Sequence, residues 1–185
     1  MAKTLKPSSE HEVIDAIAGA SAKGRRLEIR GGGSKTAFGA PERDADILDM
    51  SAFAAVIDYD PAELVLTTGA GAPLSVIQDL VASENQMLAF EPFDHAAIYG
   101  GPVGRTTIGG VIGAGVAGSR RLSAGAARDH LLGFKGVSGR AEAFVAGAKV
   151  VKNVTGYDLP KLMCGSWGRL AALTEVTLKV LPRGR

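Results

Sequence analysis

Several things are scarce in this sequence, and each scarcity closes a class of answers. A charge excess is missing: 21 Lys and Arg face 19 Asp and Glu, for a formal net charge of +2. The basic residues are also scattered, so composition gives no reason to expect a nucleic acid or an anionic membrane as partner. Cysteine is limited to Cys164, which can form no internal disulfide and fits a reducing compartment. No apolar run approaches about 18 residues, and the N-terminal MAKTLKPSSEHEV has no apolar core of signal-peptide type. The expectation is a cytosolic chain without membrane insertion, in which Asn153-Val154-Thr155 matches a glycosylation sequon by chance. Internal repeats are missing as well.

Glycine is abundant, at 25 of 185 residues, about twice the roughly 7% of an average protein. It gathers at 31–33, 69–71, 100–118 and 133–139. Such clusters between apolar segments mark places where backbone turns with positive φ or comes close to a ligand.

The apolar periodicity between them predicts a chain of mixed elements. Ser9-x-x-Glu12 is a capping box ahead of Val13, Ile14, Ile17 and Ala18, so residues 9–23 are read as a helix ended by Gly24. Leu27–Arg30, Ile47–Met50, Val56–Tyr59 and Leu64–Thr68 are short strands. Pro73 opens a second helix through Leu74, Ile77, Leu80 and Val81 to about Glu84, and Met87–Phe90 returns as a strand. From 91 to 129 the pattern is loop-like, with a brief helix after Gly110. Strands resume at Leu131–Val137, Ala143–Val145 and Lys149–Val151; Leu159–Met163 is a helical turn, and Ala172–Leu181 is a closing strand. This is an α+β chain of two lobes, residues 1–60 and 61–185, without the βαβαβ rhythm of a doubly wound sheet.

Two glycine motifs invite familiar readings. Gly113-Ala114-Gly115-Val116-Ala117-Gly118 is a literal G-x-G-x-x-G. A dinucleotide-binding Rossmann turn, however, needs a buried strand before it and an amphipathic helix after it. Gly109-Gly110 leaves only Val111-Ile112 as strand, and the residues after Gly118 have no apolar helical face. Gly31-Gly32-Gly33-Ser34-Lys35-Thr36 resembles the end of a P-loop, but Ser34 stands where that motif requires glycine and Ile29 where it requires the earlier glycine. What remains is shared chemistry. A strand running into Gly31–Gly33 exposes backbone N–H groups as an anion-binding nest beside Arg30 and Lys35, and Gly109–Gly118 offers donors from the opposite side, with a helix N-terminus as a further source.

Five blocks in order carry a family resemblance: Ile29–Lys35; Thr107-Ile108-Gly109-Gly110 with Gly118-Ser119-Arg120-Arg121; Gly125 through Arg128-Asp129 to Leu132-Gly133; Asn153–Leu159; and Gly165-Ser166-Trp167-Gly168 with Leu173–Val180. The chain resembles, over essentially its whole length, the FAD-binding domain of the vanillyl-alcohol-oxidase, or PCMH-type, flavoproteins. The RGGGSK loop together with KNVTGYDL ahead of GSWG is most similar to the glycolate-oxidase type.

The resemblance implies two α+β subdomains with FAD held between them. It places Arg30, Gly31, Gly32, Gly33, Ser34 and Lys35 around the pyrophosphate, Lys35 standing where many relatives have serine or threonine. Gly101, Pro102, Val103, Thr106, Thr107, Ile108, Gly109 and Gly110 pass along flavin and pyrophosphate, and Gly113, Ala114, Gly115, Ala117 and Gly118 continue that wall. Gly168, Leu173 and Thr174 lie toward the adenosine, although Ala171-Ala172-Leu173-Thr174 replaces the common G-V-I-T. No matching position carries the histidine or cysteine of covalent relatives, so the FAD is expected to be non-covalent.

By the same resemblance the chain is the flavin part of a dehydrogenase of small 2-hydroxy acids, working with a second flavin subunit and an iron–sulfur subunit, cytoplasmic or peripheral to the inner membrane. The substrate-binding domain of the family has no counterpart in these residues, so an isolated FAD domain with little turnover is expected, and the catalytic groups are sought elsewhere. A non-catalytic assembly subunit of such a complex is the other reading; a reductase of cell-wall precursor synthesis fits less well because of KNVTGYDL. Plainer roles are assigned to Asp158 as a helix cap, to His95 and His130 as histidines without an identified partner, to Arg120-Arg121 as phosphate contacts or solvated charges, and to Cys164 as a buried small residue.

Overall fold

Ser9 begins the first helix as its sequence suggests: its hydroxyl accepts from the Glu12 N–H at 3.3 Å. The Glu12 carboxylate turns back one residue further, to the N–H (2.6 Å) and hydroxyl (3.0 Å) of Ser8. In the computed structural model, which describes residues 2–38, 44–99, 101, 103–147 and 156–184, this helix α1 spans Glu10–Ala22 and buries Val13, Ile17 and Ala20. It lies between β1 (Thr4–Leu5) and β2 (Leu27–Arg30), and with β3 (Asp46–Asp49) these form a parallel sheet in the order β1-β3-β2. Asp46 ties the beginnings of all three strands together. It accepts from the Lys3 N–H at 2.8 Å and from the Arg25 guanidinium at 2.9 and 3.3 Å, and the Arg25 hydrogen bond, helped by Lys3, draws its pKa down to about 2. β1 was not expected from sequence, because two residues are too few to show a period.

The second sheet is antiparallel, with order β4-β5-β9-β7-β8. Its strands are β4 (Val56–Asp60), β5 (Val65–Gly69), β7 (Leu131–Ser138), β8 (Ala143–Gly147) and β9 (Ala171–Lys179). The long closing strand expected at the C-terminus is thus the central one. Its Leu173, Val176 and Leu178 face a core completed by Leu74, Ile77 and Val81 of α2 (Leu74–Ser83) and by Ile108, Val111 and Ile112 of α4 (Ile108–Ala114). Its Ala172 faces the other way and joins Val137 in a second core with Val13, Ile17, Leu48 and Met50. The two sheets are therefore joined through apolar contact, with each fully buried aliphatic side chain contributing about 1.5–3 kcal/mol.

The segment read as loop-like holds four short helices, α3 (Ala96–Tyr99), α4, α5 (Arg121–Ala124) and α6 (Ala127–His130). α4 starts at Ile108, ahead of Gly109-Gly110 rather than after them, because Thr107 caps it: the hydroxyl accepts from Gly110 N–H at 3.2 Å. Gly113 sits in the last turn of α4, and Gly115 ends it with φ +67. The G-x-G-x-x-G run thus closes a helix instead of opening one, and Val111-Ile112 is helical, which excludes the Rossmann turn on geometry. The strand expected at Met87–Phe90 is only β6 (Gln86–Met87), paired with β10 (Leu181–Pro182); Leu88, Ala89 and Phe90 are buried without a ladder. α7 (Leu159–Met163) matches its reading and is capped by Asp158, which accepts from Lys161 N–H at 3.2 Å. The strand read at Lys149–Val151 and the Asn153–Thr155 part of the KNVTGYDL block lie outside the described residues.

Candidate functional site

β2 is an edge strand of its sheet, and it runs directly into Gly31-Gly32-Gly33, which line an open groove. Gly33 takes φ +75, a conformation that favours glycine. Gly31 and Gly32 are small for another reason: a Cβ on Gly31 would overlap the Thr107 hydroxyl, and one on Gly32 would overlap the Arg105 carbonyl. The two glycine-rich segments, some seventy residues apart in sequence, are therefore in direct contact. Among the described residues no group accepts a hydrogen bond from the backbone N–H groups of Gly31 to Lys35. An open groove of about 510 Å³, lined by these glycines with Lys6, Arg30, Thr36, Asp49 and Arg105 among others, gives access to the turn.

Side chains around the turn are unequal. Ser34 is buried. Arg30 points outward into a bidentate pair with Glu28, at 2.9 Å on both arms, so its guanidinium is already neutralised. Lys35 is half-buried, with Nζ 3.3 Å from Ser34 Oγ. Burial draws its pKa below the ordinary value, opposed by the charge of Asp94. A Cβ on Gly110 would stand 3.9 Å from Lys35 Nζ, which places the ammonium at the first turn of α4.

The α4 wall differs from its sequence-based expectation. Its leading N–H groups are spent inside the protein: Ile108 donates to Ala72 O (2.9 Å), Gly109 to Ala70 O (2.7 Å), Gly110 to Thr107 Oγ1 and Val111 to Thr107 O (3.0 Å). Gly109 is required because a Cβ would stand 2.6 Å from Ala70 O. What α4 presents instead is a face without side-chain bulk. Gly110, Gly113 and Ala114 are partly exposed, and a Cβ on Gly113 would meet nothing within 4 Å. The opposite face, Ile108, Val111 and Ile112, is fully buried.

The other predicted positions are only partly brought together. Gly101 adjoins Ser34 and Thr107 lies against Gly31, while Thr106 is buried on Asp94 and Leu74. Thr174 joins through the Ala70 N–H that its carbonyl accepts at 3.0 Å, while Leu173 lies in the core. Gly115 approaches Gly165, Trp167 N–H donates to Gly113 O at 2.8 Å, and Gly168 lies against Ile29. The Trp167 ring stacks on Phe38, with centroids 5.1 Å apart, so the chain just after the first turn touches the segment capping the far end of α4. Val103 is exposed, Ala117 is partly buried, and Gly118 lies away from the turn, against Glu91. Pro102 is outside the described residues.

Two carboxylates that the sequence reading passed over organise this region. Asp94 accepts from the Thr106 hydroxyl (2.6 Å), Gly104 N–H (2.7 Å) and Ala96 N–H (2.9 Å). Burial pushes its pKa up, but these hydrogen bonds and the Lys35 charge outweigh it, and the result is below the ordinary value. Glu91, with φ +50, accepts from the Ser119 hydroxyl (3.0 Å) and Arg120 N–H (2.9 Å). The local signal was present only for Asp94, as an Asx turn two residues before Ala96. Of the histidines, His130 is buried beside Phe90 with Nε2 on Ala124 O at 2.8 Å, and His95 stacks on Phe93. Burial pushes the Cys164 thiol up to about 11. Among the described residues no group of three or more His, Cys, Asp or Glu could hold a metal, and no helix is long and apolar enough to cross a membrane.

Comparison with known proteins agrees with this geometry. The chain is 42% identical over 159 residues to glycolate oxidase subunit GlcE of Escherichia coli, covering 86% of this chain and 43% of that protein. It is 30% identical over 181 residues to a D-lactate dehydrogenase of Archaeoglobus fulgidus (98% and 39%). It is 31% identical over 175 residues to a D-2-hydroxyglutarate dehydrogenase of Xanthomonas citri pv. viticola (94% and 35%). The chain thus spans about two fifths of the length of these curated relatives. The profile of a family described as FAD binding domain matches residues 1–147. The chain belongs to this PCMH-type FAD binding domain family, an α+β fold whose cofactor is FAD.

Proposed function

We propose that the chain is the FAD-holding part of a 2-hydroxy-acid dehydrogenase of the glycolate-oxidase type. The observation that carries this is the Gly31–Lys35 turn, with five backbone N–H groups unclaimed among the described residues and a half-buried ammonium beside them. Hydrogen bonds to a charged acceptor contribute about 1.5–3 kcal/mol each, so a few of these donors suffice to hold a pyrophosphate. The face of α4 around Gly113, where a Cβ would meet nothing within 4 Å, leaves room for a large planar or phosphorylated group.

The two sheets are then the two subdomains. Because β4 pairs with β5, the division falls between Met50 and Val56, a few residues earlier than 60. Gly31, Gly32, Gly33, Ser34 and Lys35 hold the pyrophosphate, the segment from 101 to 115 forms the wall along flavin and pyrophosphate, and Gly168 and Thr174 shape the adenosine side with Leu173 supporting them from the core. Arg30 contributes as a brace on Glu28. Bound FAD would supply the hydride acceptor for oxidation of a small 2-hydroxy acid to the 2-oxo acid. The residues of this chain bind and orient the cofactor. They hold it without a covalent bond, because none of the positions assigned to the cofactor is a histidine or a cysteine.

Groups that bind the substrate carboxylate and take its hydroxyl proton are supplied from outside these residues. The relatives named as glycolate oxidase subunits support a multi-subunit assembly, and we assign to it a second flavin subunit and an iron–sulfur subunit, in the cytoplasm or peripheral to the inner membrane. The test is to purify the chain, add FAD and record absorbance after removing free ligand. A yellow protein with flavin released on denaturation supports the reading. A colourless protein that takes up no FAD overturns it in favour of an assembly role.

A further inference from the structure

We propose that Asp94 is a positioning residue for the cofactor: its carboxylate sets the 104–106 segment against the Gly31–Gly33 turn, and so fixes the spacing of the two walls. The inference rests on the FAD reading above and assigns a role to a residue outside every glycine motif.

Asp94 works where the 104–107 segment packs against Gly31 and Gly32. The Arg105 carbonyl occupies the space a Cβ would take on Gly32, and Thr107 does the same for Gly31, so a small shift of 104–107 either opens the turn or collides with it. That segment is held from two sides. From α2, Leu74 N–H donates to Thr106 O at 2.8 Å. From the 94–96 turn, Asp94 takes the Thr106 hydroxyl at 2.6 Å on Oδ1 and the Gly104 N–H at 2.7 Å on Oδ2. Both carboxylate oxygens are used, Oδ1 also accepting from Ala96 N–H at 2.9 Å, so the group cannot rotate without losing a bond. The brace is itself anchored, because Gln78 of α2 donates to Pro92 O at 3.1 Å and Phe93 stacks on His95. Thr106 is 2% exposed, so loss of its partner would strand a buried hydroxyl rather than hand it to water.

A charge-only role for Asp94 makes the opposite prediction to a positioning role. A carboxylate near a phosphate site repels the ligand, so removing the charge alone would tighten FAD binding. Removing a positioning group would weaken it.

The experiment is FAD titration of the wild-type chain and of Asp94→Ala, Asp94→Asn and Thr106→Val, read by quenching of flavin fluorescence, with the thermal midpoint of each apo protein measured in parallel. We expect Asp94→Ala to weaken FAD binding at least tenfold. Asp94→Asn, which keeps an acceptor for Thr106 and Ala96, should recover part of that loss. Thr106→Val, which keeps the Asp94 charge, should weaken binding about fivefold. Affinity within twofold of wild type in both Asp94→Ala and Thr106→Val, or tighter binding in the Asp94 variants, overturns the proposal. If the Asp94 variants fail to fold, Thr106→Val decides alone. A wild-type chain that binds no FAD overturns the FAD reading itself, an outcome distinct from variants that bind normally.

Discussion

The two glycine-rich segments that meet at this site differ in what their backbone has left to offer. In the first, residues 31–35, the N–H groups are unclaimed among the described residues. In the second, the donors at the start of α4 are spent on Ala70, Ala72 and Thr107, and its glycines serve closeness instead: Gly109 admits Ala70, Gly118 admits Glu91 and Gly113 leaves an open face. Glycine content alone therefore says little about anion binding. The sequence treats both segments alike, and the hydrogen-bond accounting separates a donor nest from a smooth wall.

The largest effect expected from breaking this contrast is at Gly32. A valine there would drive its Cβ into the Arg105 carbonyl, forcing the two segments apart, and FAD affinity should fall by roughly a hundredfold or more, on the scale of losing two charge-assisted hydrogen bonds. Far-UV circular dichroism should be unchanged, because both sheets lie outside the contact. Next is Lys35→Met, which removes the one half-buried cation of the turn. About 1.5–3 kcal/mol, or roughly a 10- to 100-fold loss of FAD affinity, is expected, together with a weaker dependence of binding on salt.

Gly113→Ala sharpens the comparison from the other side. The new methyl meets nothing within 4 Å, and alanine favours helix over glycine by about 0.5–1 kcal/mol, so the apo protein should melt at a slightly higher temperature while FAD binds several-fold more weakly. Tighter or unchanged FAD binding would remove α4 from the cofactor's path. The smallest effect on the cofactor, none at all, is expected for Asp46→Asn. Its folded pKa near 2 lies below the ordinary 3.8. It therefore contributes stability that is present above that ordinary value and lost as pH falls toward 2. A thermal-melting series should show the substituted protein less stable at neutral pH, with a flatter decline between about pH 4 and 2.

Local rules made much of this legible. Ser9 with the spacing of Val13, Ile14, Ile17 and Ala18 specifies α1, and the strands read at Leu64–Thr68 and Ala172–Leu181 correspond to β5 and β9, which pair antiparallel. The GGGSK turn could be read as a nest because it follows a strand directly. Of α4 only a brief helix after Gly110 could be read, and not its start at Ile108, since with glycine at 109, 110 and 113 its helical propensity is poor and its formation depends on burying Ile108, Val111 and Ile112 beneath it. Glu91, and the contacts of Asp94 beyond its own Asx turn, could not be read for a different reason. Gly104 and Thr106 lie 10 to 12 residues after Asp94, and Ser119 and Arg120 28 to 29 after Glu91, distances at which no sequence period operates. The bidentate pairing of Arg30 with Glu28 likewise depends on both residues facing the outer side of β2, where sequence alone suggested an arginine free for phosphate.

The central claim, that the Gly31–Lys35 turn anchors FAD through its pyrophosphate, is tested most directly by titrating the wild-type chain with FAD and, separately, with riboflavin, which has the same ring and no phosphate. The account predicts saturable FAD binding with riboflavin bound at least roughly a hundredfold more weakly, as expected when two or more charge-assisted hydrogen bonds are lost. Riboflavin bound as tightly as FAD would contradict it.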